Sequence, residues 1–256
     1  MRNILAIPII LILCFASFGV SLALAGPTSS DKASEIAENT YHSSRYYWKC
    51  PHDEGGDTYE FLEMEVPQSA FESSMEQNIF RSPTIFDNSA IHFVRPDDKY
   101  VQTVVEHIES KTEGESIHTR ATAALWFVQS TISYKDDQNL YGTSEFWAFP
   151  VETLFLRHGD CEDTTILLCS IYQAMGIDCA LLDYSNHEAV GVDLGDGHYH
   201  FCETTTSSPQ EIGTTNLRYW GEDPVIYPVG KTPDYFGSLN SLVSGYRNLF
   251  QRILTI

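Results

Sequence analysis

Hydrophobic positions along the chain recur with spacings that are typical of strands in some places and of helices in others. Between residues 59 and 66, apolar side chains alternate with glutamates, so that Leu62, Met64 and Val66 share one face. This alternation predicts a half-buried strand that ends at Pro67.

Three later segments have the spacing of helices. The side chains of Asp97-Asp98 and of Ser116 can accept hydrogen bonds from the first turns of two of them. A third helix is predicted to begin near Cys161 and to end at Gly176, and residues 133–150 are predicted to form a loop. The apolar positions of the first two helices are Val101, Val104, Val105 and Ile108, and Ile117, Ala121, Ala124, Leu125, Val128 and Ile132.

Three short apolar runs follow the third helix, at residues 179–183, 188–192 and 199–204. Gly195-Asp196-Gly197 separates the last two runs and is typical of a hairpin turn. Helices that precede an antiparallel sheet predict an α+β fold. The apolar positions of residues 239–256 have helical spacing and predict a further, docking helix.

Composition limits the kinds of partner. The chain has 256 residues, with 15 Lys+Arg against 35 Asp+Glu, so its formal net charge is −20. This length fits one domain of ordinary size, alone or with a small addition. The negative charge argues against binding to nucleic acid, whose phosphates attract cations, and against adhesion to anionic lipid.

The first 25 residues predict export. Residues 4–25 carry no charge and follow Arg2, and Ala23-Leu24-Ala25 before Gly26 has the small-x-small pattern of a signal cleavage site. An uncleaved segment of this length could instead anchor the chain in a membrane. We therefore expect a secreted or extracellular, membrane-anchored protein. Removal of Cys14 would leave five of six cysteines, an odd number that predicts a free thiol or an intermolecular bridge.

Cys161 is the candidate nucleophile. Asp160 is suited to cap the following helix, which places Cys161 at its first position. The helix dipole and the unpaired N–H groups of a first turn favour a thiolate and can hold an oxyanion. Glu162 and Asp163 oppose a thiolate, so a cationic partner is needed. The alternative is a small, buried hydrophobic cysteine.

His187 is the candidate base, because it stands at the entrance to a strand after a polar turn, where an imidazole can exchange a proton with a thiol. Glu203 on the next strand is the candidate acid that orients it. The alternatives are an exposed turn histidine and an acid without a catalytic role. Trp147 and Phe149 either line a groove for the acyl group of a substrate or pack on the core.

The motif Gly159-Asp160-Cys161-Glu162-Asp163, together with His187 and Glu203-Thr204-Thr205, resembles the transglutaminase-like superfamily, and within it the prokaryotic and archaeal cysteine-protease branch. The resemblance covers residues 116–205. It implies a papain-like α+β fold and a catalytic triad in which Cys161 matches the nucleophile and His187 the base. Glu203 matches a position where the family usually has Asp. With this resemblance, residues 26–98 are interpreted as an extension and residues 99–256 as the catalytic domain.

These observations predict an exported thiol enzyme of acyl transfer that hydrolyses amide or peptide bonds and needs no cofactor. An amine-accepting transglutaminase and an inactive binding module at the cell surface are the alternatives. A metal-binding protein is a third, since His198, His200 and Cys202 alternate on one strand. A fourth ligand at a recognisable spacing is missing, so we predict no metal site there.

Overall fold

The computed structural model describes residues 45–83, 90–214 and 223–230. The predicted signal or anchor segment and the predicted helix at residues 239–256 lie outside these ranges. Within them, no helix combines the length and the apolar character that crossing a membrane requires.

The described residues form six α-helices, one short 3-10 helix and eight strands. The α-helices are α1 (Gln68–Met75), α2 (Lys99–Lys111), α3 (Ile117–Thr131), α4 (Asp137–Leu140), α5 (Pro150–Leu156) and α6 (Cys161–Ala174). The 3-10 helix is Ala90–Phe93. The strands are β1 (Arg45–Cys50), β2 (Thr58–Glu63), β3 (Ser133–Tyr134), β4 (His158–Gly159), β5 (Cys179–Tyr184), β6 (His187–Asp193), β7 (Tyr199–Cys202) and β8 (Val225–Pro228).

The main sheet has four antiparallel strands in the order β7-β6-β5-β8. The predicted hairpin turn joins β6 to β7, where the Asp193 side chain accepts hydrogen bonds from the N–H groups of Gly195 and Gly197. Both glycines have positive φ, which this turn requires. The α+β class, with helices before an antiparallel sheet, is confirmed.

The two predicted helix caps are confirmed as well. Asp98 accepts hydrogen bonds from the first turn of α2, and Ser116 accepts one from the N–H of Thr119 in α3. Helix α3 was predicted to have one apolar face, yet nearly all of its residues from Thr119 onward are buried. It is covered by α6 and by the β1–β2 hairpin, which periodicity along one helix does not reveal.

Residues 133–150 are more ordered than the predicted loop. They contain β3 and α4, and the unpredicted helix α5 begins at Pro150. Asp136 caps α4 by accepting from the N–H of Asn139, and Glu152 reaches back to accept from the N–H of Phe149. These caps stabilise helices too short to show a periodic pattern.

The N-terminal hairpin shares the hydrophobic core with the helices. Tyr46 and Trp48 pack on Phe127 of α3 with ring centroids 5.9 and 5.3 Å apart, and the Tyr46 hydroxyl donates to the carbonyl of Leu154. The predicted boundary at residues 98 and 99 stays a prediction. In the described part of the chain, the five cysteines are thiols without a disulfide: Cys50, Cys161, Cys169, Cys179 and Cys202.

A buried ion pair ties the N-terminal part to α5. The Arg81 guanidinium donates to both carboxylate oxygens of Glu152, at 2.8 and 2.9 Å, and to the carbonyls of Ser74 and Trp147. The Glu152 side chain is fully buried. Because the Trp147 N–H also donates to the Arg81 carbonyl, this pair fixes the segment that carries Trp147.

We expect Arg81→Met to lower the free energy of unfolding by about 3–5 kcal/mol, because it leaves the Glu152 carboxylate buried without its cation. The double variant Arg81→Met/Glu152→Gln should lose less, since a neutral amide needs no cation. Urea unfolding measures both. Equal losses would contradict a structural role for the charge of this pair.

Candidate active site

Cys161 is the first residue of α6, as predicted, and Asp160 occupies the N-cap position. The Asp160 side chain makes no capping hydrogen bond, which corrects the predicted reason for this placement. Its carbonyl instead accepts from the N–H and the hydroxyl of Thr164. The parallel pairing of β3 with β4 positions the chain just before Cys161, since Tyr134 lies opposite Gly159.

His187 and Glu203 are in direct contact. His187 is the first residue of β6, and its Nε2 lies 3.1 and 3.2 Å from the two carboxylate oxygens of Glu203, just beyond the end of β7. Glu203 also accepts hydrogen bonds from the N–H and hydroxyl of Thr205. Burial raises the pKa of Glu203, but the bonds from His187 and Thr205 outweigh it and lower the pKa overall.

A side chain of helix α3 holds the backbone of Glu203 in place. The side chain of Gln129 donates to the backbone carbonyl of Glu203 at 2.7 Å and accepts from the N–H of Gln210. The hydroxyls of Thr164 and Thr204 lie 2.8 Å apart and link α6 to the same segment. The sequence indicated no role for Gln129.

Cys161 and His187 line one cavity of about 790 Å³, and Trp147 forms part of its wall. Phe149 does not line it. The Phe149 ring is buried 4.7 Å from that of Phe93, with the Arg95 guanidinium 4.7 Å away on the ring. Of the two alternatives given for Phe149, this position matches packing on the core, and its contact with substrate stays a prediction.

The thiol of Cys161 lies among acids. Its Sγ donates a hydrogen bond to Glu162 at 2.8 Å. Burial raises the pKa of the Cys161 thiol, and the charges of Glu162 and Asp160 raise it further, whereas the N–H of Glu188 acts in the opposite direction. Burial and the carboxylates therefore oppose the thiolate that the helix start favours, and for Glu162 this opposition is the one that the sequence predicts.

Asp160 also belongs to a cluster of three carboxyl groups next to Cys161. Oxygens of Asp137, Asp160 and Asp163 lie within 4.8 Å of one another. Asp163 is fully buried and accepts from the N–H of Ala148 at 2.8 Å. Burial raises the pKa of each of these three groups, and the neighbouring carboxylates add to the shift.

Gly159 allows this cluster to form. A Cβ at Gly159 would lie 2.7 Å from the Cβ of Asp163 and 3.0 Å from one of its carboxylate oxygens. Every other residue type would therefore push Asp163 and the first turn of α6 aside.

Several residues of the cavity were missed from the sequence. Tyr134 lines it, and burial together with the charges of Cys161 and Asp160 raises the pKa of Tyr134 to about 12. Asp137 and Glu188 also line it. The acidic pair at residues 136 and 137 was a visible signal, but its distance from Cys161 along the chain concealed the contact.

The alternative metal ligands do not converge. Cys202 is buried, with its Sγ 3.8 Å from the hydroxyl of Tyr172, while His200 Nε2 lies 2.9 Å from Asp196 on the outer side of the hairpin. His198, His200 and Cys202 alternate as predicted, yet their donor atoms form no common cluster.

We expect Asp137→Asn to stabilise the protein by about 1–3 kcal/mol at pH 8 and to change little at pH 5. A carboxyl whose pKa is raised by folding binds a proton that the unfolded chain releases above about pH 4. Its stabilising contribution is complete below that pH and is lost as the pH rises. Urea unfolding at both pH values measures this, with Glu113→Gln as the exposed control. A loss of stability at pH 8 in Asp137→Asn would contradict the raised pKa of the Asp137 carboxyl.

Comparison with known proteins supports the resemblance seen in the sequence. The model of the Transglutaminase-like superfamily matches residues 102–202, which include Cys161 and His187. A crystal structure at 1.9 Å from Cytophaga hutchinsonii, of a protein described as a putative cysteine protease, is similar with a TM-score of 0.35 and 14% identity. The similarity covers 57% of this chain and 54% of the other, so it spans about half of that protein. None of the curated proteins that were compared matches. Residues 102–202 of this chain form a domain of the transglutaminase-like superfamily.

Proposed function

We propose that the protein is an exported thiol enzyme that hydrolyses an amide or peptide bond. One observation carries the proposal: Cys161 at the start of α6 and His187, which is hydrogen-bonded to Glu203, line the same cavity. A nucleophile, a base and an acid that orients the base are the groups that acyl transfer through a thioester needs. The charge-free residues 4–25 support the export.

In the proposed reaction, His187 takes the proton of the Cys161 thiol, and the sulfur attacks the carbonyl carbon of the substrate. The carbonyl oxygen then carries a negative charge, which the N–H groups at the start of α6 can stabilise. The amine departs with the proton from His187, which leaves a thioester on Cys161. Water attacks the thioester after His187 takes one of its protons, and the acid product leaves as that proton returns to the sulfur.

Glu203 is proposed as the positioning residue. The Glu203 carboxylate faces Nε2 of His187. The other ring nitrogen of His187, Nδ1, is therefore the one that exchanges a proton with Cys161. The bonds from Thr205 and the support of Gln129 behind Glu203 hold the carboxylate in this place. The carboxylate also stabilises the imidazolium that forms when His187 takes the proton.

Hydrolysis is tested with a panel of peptides that release a fluorescent amine from their C-terminal amide. We expect release by the wild type and a loss of about 1,000-fold or more in Cys161→Ala, because the nucleophile is removed. A primary amine added to the assay tests the transferase alternative, since it would then appear in the acyl product. Equal release by the wild type and Cys161→Ala across the panel would refute the role of Cys161.

Alkylation tests the Cys–His pair without a substrate. We expect His187→Ala to slow alkylation of Cys161 by iodoacetamide at pH 7 by about tenfold, because the thiol loses its base. Glu203→Gln should slow it less, and His118→Ala removes an exposed histidine as the matched control. Peptide mass spectrometry gives the rate at Cys161. Identical rates in the wild type and His187→Ala would contradict the pair.

A further inference from the structure

The cavity around Cys161 is lined by carboxyl groups on three sides. No lysine or arginine occurs among the described residues that line it. Acids stand beside α4, on both sides of Cys161, and on β5 and β6. They are Asp136, Asp137 and Glu145, Asp160 and Glu162, and Asp183 and Glu188.

Three of these acids have an oxygen that no donor of the described protein reaches. They are Oδ1 of Asp137, Oδ1 of Asp160 and Oε2 of Glu188. The three residues are only 3%, 8% and 6% exposed, although each belongs to the cavity wall. Buried polar atoms are nearly always hydrogen-bonded, so oxygens of this kind in a cavity wall point to donors that a ligand brings.

Aromatic rings complete the wall. Trp147, Tyr134 and Tyr184 line the same cavity as the carboxylates. Rings of this kind attract a cation over their faces and also cover an apolar stem. Carboxylates together with aromatic rings match a positive group at the end of an alkyl chain.

We infer that this cavity binds a lysine or arginine side chain of the substrate, next to the amide bond that Cys161 attacks. The inference rests on the proposed function, of which it names the substrate class. The same wall disfavours substrates with acidic residues at this position, because it offers their carboxylates further acids and no lysine or arginine as a partner.

A bound metal ion explains the wall less well. The oxygens of Asp137, Asp160 and Asp163 are close enough together to hold an ion. However, Asp183 and Glu188 lie on the sheet side of the cavity, outside this trio. A calcium ion takes six to eight oxygens around one point, whereas Asp183 and Glu188 belong to no such group of ligand atoms in the described part of the chain.

A cation in the cavity would also change the state of Cys161. In the resting site, the thiol donates to Glu162, and the Glu162 and Asp160 carboxylates hold its proton in place. A substrate cation that pairs with these carboxylates would lower the free energy of the thiolate. The substrate would thereby help to activate the nucleophile that attacks it.

Three methanethiosulfonate reagents of similar size test the inference. One carries a trimethylammonium group, one a neutral hydroxyl and one a sulfonate. In each case the Cys161 thiolate attacks the thio sulfur, a mixed disulfide forms, methanesulfinate leaves, and the thiol proton passes to His187 or solvent. Rates at Cys161 are read by peptide mass spectrometry and divided by the rates with N-acetylcysteine amide.

We expect the normalised rate of the cationic reagent to exceed that of the anionic reagent by about tenfold or more. The preference for the cationic reagent should fall severalfold in Asp183→Asn and in Glu188→Gln. It should be unchanged in the exposed control Glu113→Gln. The comparison within the wild type needs no variant, so it holds even if one variant fails to fold.

The outcomes separate the two proposals. If the neutral reagent leaves Cys161 unmodified, the proposed function fails. If the neutral reagent reacts but the cationic one has no advantage, the lysine or arginine site is wrong and the proposed function stands. If the protein carries stoichiometric calcium, and the preference appears only after chelation, the occupant is the metal and the inference is overturned.

Discussion

The first turn of α6 has to hold a nucleophile and several buried carboxyl groups in the same small volume. Cys161 lies in the cavity wall only because β3 pairs with β4 just before it, and Asp163 fits beneath only because position 159 has no Cβ. Carboxyl groups at this depth cannot all be charged without partners. This constraint determines the protonation of the cavity and the kind of ligand that it can accept.

The sheet and α3 supply the other half of the site. The register of β6 against β7 brings His187 at the start of one strand to Glu203 beyond the end of the other. Gln129 reaches from α3 to the backbone of Glu203 and connects the acid to a helix that is mostly buried. The base and its acid are thus positioned by elements that are rigid for reasons of packing.

The charges around Cys161 act on its thiol in opposite directions. A helix N-terminus stabilises a thiolate by a modest amount, and buried carboxylates at contact distance act more strongly in the opposite direction. Burial and these carboxylates raise the pKa of the Cys161 thiol, which donates a hydrogen bond to Glu162. In the proposed substrate site, a bound cation would pair with the carboxylates and favour the thiolate.

The sequence by itself determined the α+β class, the caps of α2 and α3, the hairpin at Gly195 and the candidate residues Cys161, His187 and Glu203, because each depends on periodicity, capping or a local motif. It did not reveal α5 or how much of α3 is buried, and it left open whether Phe149 packs on the core or lines the cavity. Only the tertiary structure brought Asp137 to within reach of Asp160 and Asp163. Contacts between residues distant in the chain depend on how the elements pack, and the pKa values of Cys161 and its acids follow from that packing.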